Sequence, residues 1–250
     1  MLDELLIENN SFRPFSLAHF CVLLVGFSFF TLLILYARRC SPRRQVFIGA
    51  LLSYTILFTF LGVYISIDSW RLGFEPKKHL PLAMCNVCAM LSWLVLHRKI
   101  YWMYEILFFW IMSGTVAACL TPDIKEAFPH YTFLVFWIIH IGLVGSAFYA
   151  TLVYGMRPTF GSLMKSFLAI LVYAPVVGLI NWLLRDYDTN FFYVCRKPDT
   201  WTPLDLFGDW PWYLFFGVFF AMFVFLVIYS PFYLSDRLSR RTSLPNPPGD

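Results

Sequence analysis

Apolar residues run nearly unbroken through seven stretches of this chain: 16–37, 46–67, 80–96, 101–120, 131–154, 166–184 and 211–234. Each ends where arginines, prolines or carboxylates gather. About 20 mainly apolar residues are needed to cross roughly 30 Å of hydrocarbon as a helix. The pattern therefore predicts seven spans, the third and sixth short enough to pack inside a bundle or to sit where the bilayer thins. Backbone groups find no water in lipid, so each span should be helical. Alternating segments of about ten residues, the mark of a membrane β-barrel, are missing. The expected fold is all-α: a polytopic seven-transmembrane-helix bundle.

Composition agrees, since 59% of the 250 residues are hydrophobic and only 14% charged, whereas soluble domains carry about 25% charged residues. The first ten residues, MLDELLIENN, are acidic and lack the basic flank and cleavage site of a removable signal. One membrane domain is expected over 16–234, preceded by a short external segment (1–15) and followed by a loose polar tail (235–250). The longest connection, 185–210, mixes aromatics, charges and prolines, and should fold over the bundle mouth. Positive charge sets the orientation. Arg38, Arg39, Arg43, Arg44, Arg98, Lys99, Arg157, Lys165, Arg237, Arg240 and Arg241 share one side, opposed there only by Asp236 and Asp250. That side is expected to be cytosolic, with the N-terminus outside. The net charge of +4 is the sum of two opposed faces and does not point to nucleic acid.

Ionisable side chains inside a span are costly and mark functional candidates. Glu105, His140 and His19 are the three, joined by the amides of Asn86 and Asn181. The third stretch reads LPLAMCNVCAM, with Cys85, Asn86 and Cys88 close behind Pro81. At about 1.5 Å per helical residue, Cys85 and His140 both fall in the outer half of the membrane, whereas Glu105 lies near the cytosolic face. A thiol beside an imidazole suits nucleophilic acyl chemistry: the thiolate attacks while the histidine takes and returns the proton. Asn86 or Asn181 would steady the oxyanion or the ring. The plainer reading treats buried cysteines as small hydrophobes, and packing is the better account of Cys88. His19 would snorkel to the interface. Glu105 would serve as a structural hydrogen bonder or pair with Arg98 or Lys99. Cys85, Cys88 and His140 supply three ligands where structural zinc takes four, so neither metal nor cofactor is expected. Cys119 and Cys195 share the external side and could form a disulfide if that compartment is oxidising.

The ordered series LPLAMCNVCAM, LTPD, FPH, RPT, LINWLL and GDWPWY resembles the YwaF-like family of bacterial integral membrane proteins, over roughly residues 80–234. That family is similar to eukaryotic multi-pass acyltransferases that remodel ether phospholipids, and more distantly to androgen-induced membrane hydrolases of fatty acid esters. The resemblance implies a nucleophile at Cys85, a histidine at His140, a lipid substrate drawn from the bilayer and residence in a bacterial cytoplasmic membrane. Many bacterial members carry Cys-Asp where this chain has Cys85-Asn86.

Two functions of different kinds are compatible with these features. The first is an intramembrane lipid acyltransferase or lipid-ester hydrolase with a Cys nucleophile and His base. The alternative is a transporter or receptor for a small or amphipathic ligand, with the external loop as its lid. A retinal sensor is excluded by the absence of lysine from 211–234. A structural subunit, its polar groups acting as interhelical glue, is the third possibility.

Overall fold

The computed structural model describes residues 11–198 and 202–242. Among the described residues there are helices and turns but no strand. Helix α1 (Leu17–Ala37) begins where the Ser16 hydroxyl accepts the His19 N–H, a side-chain cap for one of the free donors of a first turn. Helix α2 (Pro42–Arg71) opens on proline, whose fixed φ and missing N–H suit that position. A short turn, α3 (Pro76–His79), and a non-helical stretch, 80–83, lead into α4 (Met84–Leu96). Helices α5 (Tyr101–Leu120), α6 (Tyr131–Leu152), α7 (Phe160–Leu183) and α8 (Trp212–Thr242) complete the order.

Six of these, α1, α2, α5, α6, α7 and α8, are long and apolar enough to cross a membrane. Helix α4 is not: its 13 residues rise about 20 Å. The expected third helix is shortened at its start because Pro81 offers no N–H and clashes with a continuing helix. The unwound residues are not abandoned to lipid. Leu82 N–H donates to Leu80 O at 2.8 Å, and the Tyr173 hydroxyl of α7 donates to Leu82 O at 2.6 Å. Irregular backbone at membrane depth is tolerable when protein groups satisfy it in this way. At the other extreme α8 continues to Thr242, so 235–242 extend a helix instead of forming a loose tail; 243–250 lie outside the described residues, as do 1–10 of the expected N-terminal segment.

Helix α6 is the axis. In its most apolar window 72% of residues are buried, against 11% in α8 and 17% in α1. It packs on α1, α2, α4 and α5, while α7 lies on α5 and α8 on α7. Small residues allow these approaches: a side chain at Gly145 of α6 would run into the Phe30 ring of α1. Connections gather at two opposite ends. At the arginine-rich end, Tyr101 donates to Arg157 O, Tyr154 to Leu96 O and Arg157 to Asp236. At the other, Asn181 holds Phe191 and Tyr213 donates to Tyr193 O.

Two π-helical turns interrupt the regular helices, Thr59–Ile65 in α2 and Ile111–Thr115 in α5. Each contains a glycine, and hydroxyls take up carbonyls near the widened turns: Ser66 Oγ donates to Leu61 O at 2.9 Å and Ser113 Oγ to Phe109 O at 2.7 Å. Both turns pack against α4 and α6, the two helices that carry Cys85 and His140. Such turns are frequent at functional sites.

Candidate active site

Cys85 is the second residue of α4, on the turn just after the unwound 80–83 segment. Its sulfur lies 3.5 Å from the Thr115 hydroxyl, on the last residue of the α5 π turn. Thr115 is fully buried, and the widened turn brings its side chain to the thiol. The first-turn N–H groups of a helix have no acceptor within that helix. In α4 these are the N–H groups of Met84, Cys85 and Asn86, beside the sulfur. Asn86 lies on the same turn, half-buried, with its amide bonded to no described residue. Cys88 is completely buried in the core, the packing role expected of it.

His140 sits in the middle of α6 and is half-buried. Its Nδ1 lies 2.8 Å from Phe136 O. A carbonyl can only accept, so Nδ1 carries the proton and Nε2 presents the lone pair. The ring also stacks on Phe136, centroids 4.0 Å apart and planes 21° from parallel. The hydrogen bond sets the tautomer and the stack holds the ring's orientation. The hydrogen bonds of the two candidates go to different partners, Thr115 for Cys85 and Phe136 for His140; what joins them is the packing of α4 on α6.

Asn181 is placed elsewhere. Its Nδ2 donates to Phe191 O at 3.0 Å and its Oδ1 accepts from Phe191 N–H at 2.9 Å. This pairing with one backbone residue pins the long connection to the end of α7, which makes Asn181 a fastener of that loop.

Two other expectations are corrected, and one is met on its first alternative. Glu105 is the buried structural hydrogen bonder, with neither Arg98 nor Lys99 as its ion-pair partner. It accepts from Lys165 Nζ at 2.6 Å and from Ser162 Oγ at 2.8 Å, both on α7, because α5 and α7 are neighbours and Lys99 instead lies 4.2 Å over the Tyr154 ring. His19 does not reach the interface: it is buried, with Nδ1 accepting from Phe15 N–H and Nε2 donating to Cys119 O, each at 2.9 Å. Cys119 and Cys195 are both free, one buried and one exposed. Among the described residues no group of three or more His, Cys, Asp or Glu side chains could hold a metal ion.

Thr115 escaped the sequence reading, since a threonine in an apolar span carries no charge and back-bonds to its own helix unremarked. The run Ser113-Gly114-Thr115 within a span was its available signal. The RPT motif resolves into scaffolding. Arg157 bonds Asp236 and Phe232 O, and Thr159 caps α7 through a reciprocal pair with Ser162.

Apolar helices of this length, polar side chains turned inward and charge confined to two ends define an integral membrane protein. The chain belongs to the TMEM164 family, whose family model matches residues 14–229. No curated protein and no solved structure matches it.

Proposed function

We propose that this protein is an intramembrane acyltransferase acting on lipid esters, with Cys85 as nucleophile and His140 as base. The observation that carries the reading is the fixed tautomer of His140. A mid-membrane imidazole whose Nδ1–H is tied to a carbonyl presents its lone pair at Nε2, and it does so on the helix against which the Cys85 helix packs. The resemblance of the LPLAMCNVCAM-to-GDWPWY series to the YwaF-like family, itself similar to ether-phospholipid acyltransferases, supports the same reading.

In the first half-reaction the Cys85 thiol turns from Thr115 towards the imidazole and gives its proton to His140 Nε2. The sulfur attacks the ester carbonyl; a C–S bond forms and the carbonyl π pair moves to oxygen. The first-turn N–H groups of α4 and the Asn86 amide are the donors placed for that oxyanion. Collapse breaks the C–O bond, and the leaving alcohol takes the proton from His140. In the second half-reaction an acceptor hydroxyl gives its proton to Nε2 and attacks the thioester. The C–S bond breaks and sulfur recovers the proton. A lysophospholipid as acceptor gives transfer, and water gives hydrolysis.

The test uses full-length protein in nanodiscs with a phospholipid bearing a radiolabelled acyl chain. Label on the parent protein is expected to be released by neutral hydroxylamine, as a thioester is. Cys85→Ala should abolish the labelling, and His140→Gln should slow it by about 10²–10⁴-fold, the range typical of a general base. Undiminished thioester labelling of Cys85→Ala would remove Cys85 from the mechanism. Solute uptake into proteoliposomes that survives loss of both residues would favour the transporter reading.

A further inference from the structure

Asp68, near the end of α2, is 5% exposed, and its carboxylate lies in a polar cluster that the acyl-transfer scheme leaves unused. Two buried side chains donate to it. One is the Tyr131 hydroxyl, from the first residue of α6. The other is His79 Nε2–H, 3.3 Å from Oδ2, from the last residue of α3. Tyr131 is 7% and His79 2% exposed. The histidine is fully used, because its Nδ1 accepts the Glu75 N–H at 2.8 Å. An acceptor at Nδ1 leaves the proton on Nε2, directed at Asp68. Arg71 lies 5.8 Å from the Tyr131 ring centroid, so a cation accompanies the carboxylate.

Each donor precedes one proposed reacting group along the chain: Tyr131 heads the helix that carries His140, and His79 ends the turn before the Cys85 helix. From His79 the chain passes through the unwound 80–83 stretch directly into Cys85. From Tyr131 it passes up α6 to His140. A buried charge is a poor source of stability, and apolar side chains of similar volume often do as well or better. What a fully bonded buried network supplies is one defined arrangement.

We propose that Asp68 is a positioning residue for the Cys85–His140 pair, a single carboxylate that sets the nucleophile-bearing segment against the base-bearing helix through His79 and Tyr131. The proposal rests on the acyl-transfer reading and deepens it. Misplacement of reacting groups by about 1 Å can cost about 100-fold in rate, so loss of Asp68 acts on the chemical step and leaves lipid binding intact.

The experiment measures thioester turnover at several lipid concentrations for Asp68→Ala, Asp68→Asn, His79→Gln and Tyr131→Phe in nanodiscs. Asp68→Ala is expected to lower kcat about 100-fold with KM within about twofold. Asp68→Asn, which keeps an acceptor oxygen, should recover part of that loss. Tyr131→Phe added to Asp68→Ala should cost nothing further, since both remove the same link. A second readout needs no turnover: in protein whose only cysteine is Cys85, alkylation by N-ethylmaleimide should slow on loss of Asp68 as it does on loss of His140. Should Asp68→Ala fail to fold, Tyr131→Phe and His79→Gln, each deleting one donor, take its place with an expected loss of about tenfold. Unchanged kcat and unchanged alkylation in the folded variants overturn the proposal. An inactive Cys85→Ala beside fully active Asp68 variants refutes the positioning role alone, whereas a fully labelled Cys85→Ala refutes the acyl-transfer reading.

Discussion

Glu105 shows how a charge is kept inside the bundle. Its side chain is 4% exposed while that of Lys165 is 57% exposed, so the pair is buried at one end and wet at the other. The two partners do not contribute equally. Glu105→Ala removes the carboxylate to which the buried Ser162 hydroxyl donates, leaving that hydroxyl only its Thr159 contacts, and should cost on the order of 1.5–3 kcal/mol, the worth of a hydrogen bond to a charged group. Lys165→Ala should cost only ~0–1 kcal/mol, as for an exposed ion pair. Glu105→Gln, which keeps an acceptor for Ser162, should fall between them. Thermal unfolding in detergent micelles measures the order, and a Glu105→Ala protein as stable as the parent would contradict it. The same residue marks what a sequence discloses at this scale. A carboxylate among YWMY and ILFFW stands out at once, as do Cys85 and His140 in their own apolar runs. Its partner does not, because the neighbour that matters is 60 positions along the chain and only the pairing of α5 with α7 brings it close. Thr115 and Asp68 stayed hidden for related reasons. One is a modest hydroxyl in a span, and the other lies among the charges of a span end, where a carboxylate draws no notice.

Between residue and molecule, helix ends and irregular turns decide where side chains go. Hydropathy located the apolar helices well, since lipid enforces the pattern, but it is blind to a widened turn. The π turns at Thr59–Ile65 and Ile111–Thr115 keep the apolar run intact while rotating the next helical turn, and this rotation brings Thr115 to Cys85. Proline was the one audible signal, because Pro81 delays α4 until Met84. The long connection between α7 and α8 is likewise built from local pairings. Within it the Pro203–Phe207 turn is closed by Thr202 N–H donating to the Asp205 carboxylate at 2.8 Å. That backbone donor, with Lys197 3.3 Å away, holds the Asp205 pKa below the usual carboxylate value. A group whose pKa is depressed in the fold contributes stability above its unfolded value, about 3.9 for Asp, and loses it as pH falls through the folded value. Amide exchange at Thr202 should therefore be protected at neutral pH and lose its protection under acid conditions, after correction for intrinsic exchange rates. In Asp205→Asn the protection should be weak and no longer depend on pH across that window. Equal protection in parent and variant at neutral pH would show that the carboxylate does not hold this turn.

At the scale of the whole molecule, the two ends of the bundle differ in charge as well as in bonding, and this difference predicts an orientation in the membrane. Arg38, Arg39, Arg43 and Arg44 surround the α1–α2 turn, Arg98 and Lys99 the α4–α5 turn, and Arg157 bonds Asp236 of α8. Moving such clusters across a membrane during insertion is disfavoured, so they should stay on the cytosolic side. The Cys85 half of α4, the Asp68 cluster and the Asn181-pinned connection then lie towards the opposite surface, where a lipid of the outer leaflet would meet the thiol. Two native cysteines can read this orientation. Cys195 is exposed in the α7–α8 connection and Cys40 is partly exposed in the α1–α2 turn. In intact cells carrying variants that retain only one of these cysteines, a membrane-impermeant maleimide should label Cys195 at once and Cys40 only after permeabilisation. The reverse pattern would invert the molecule. Cys85 would then open towards cytosolic-leaflet lipids, and the donor and acceptor of the proposed acyl transfer would have to be sought there, with the proposed thiol–imidazole chemistry itself unaltered.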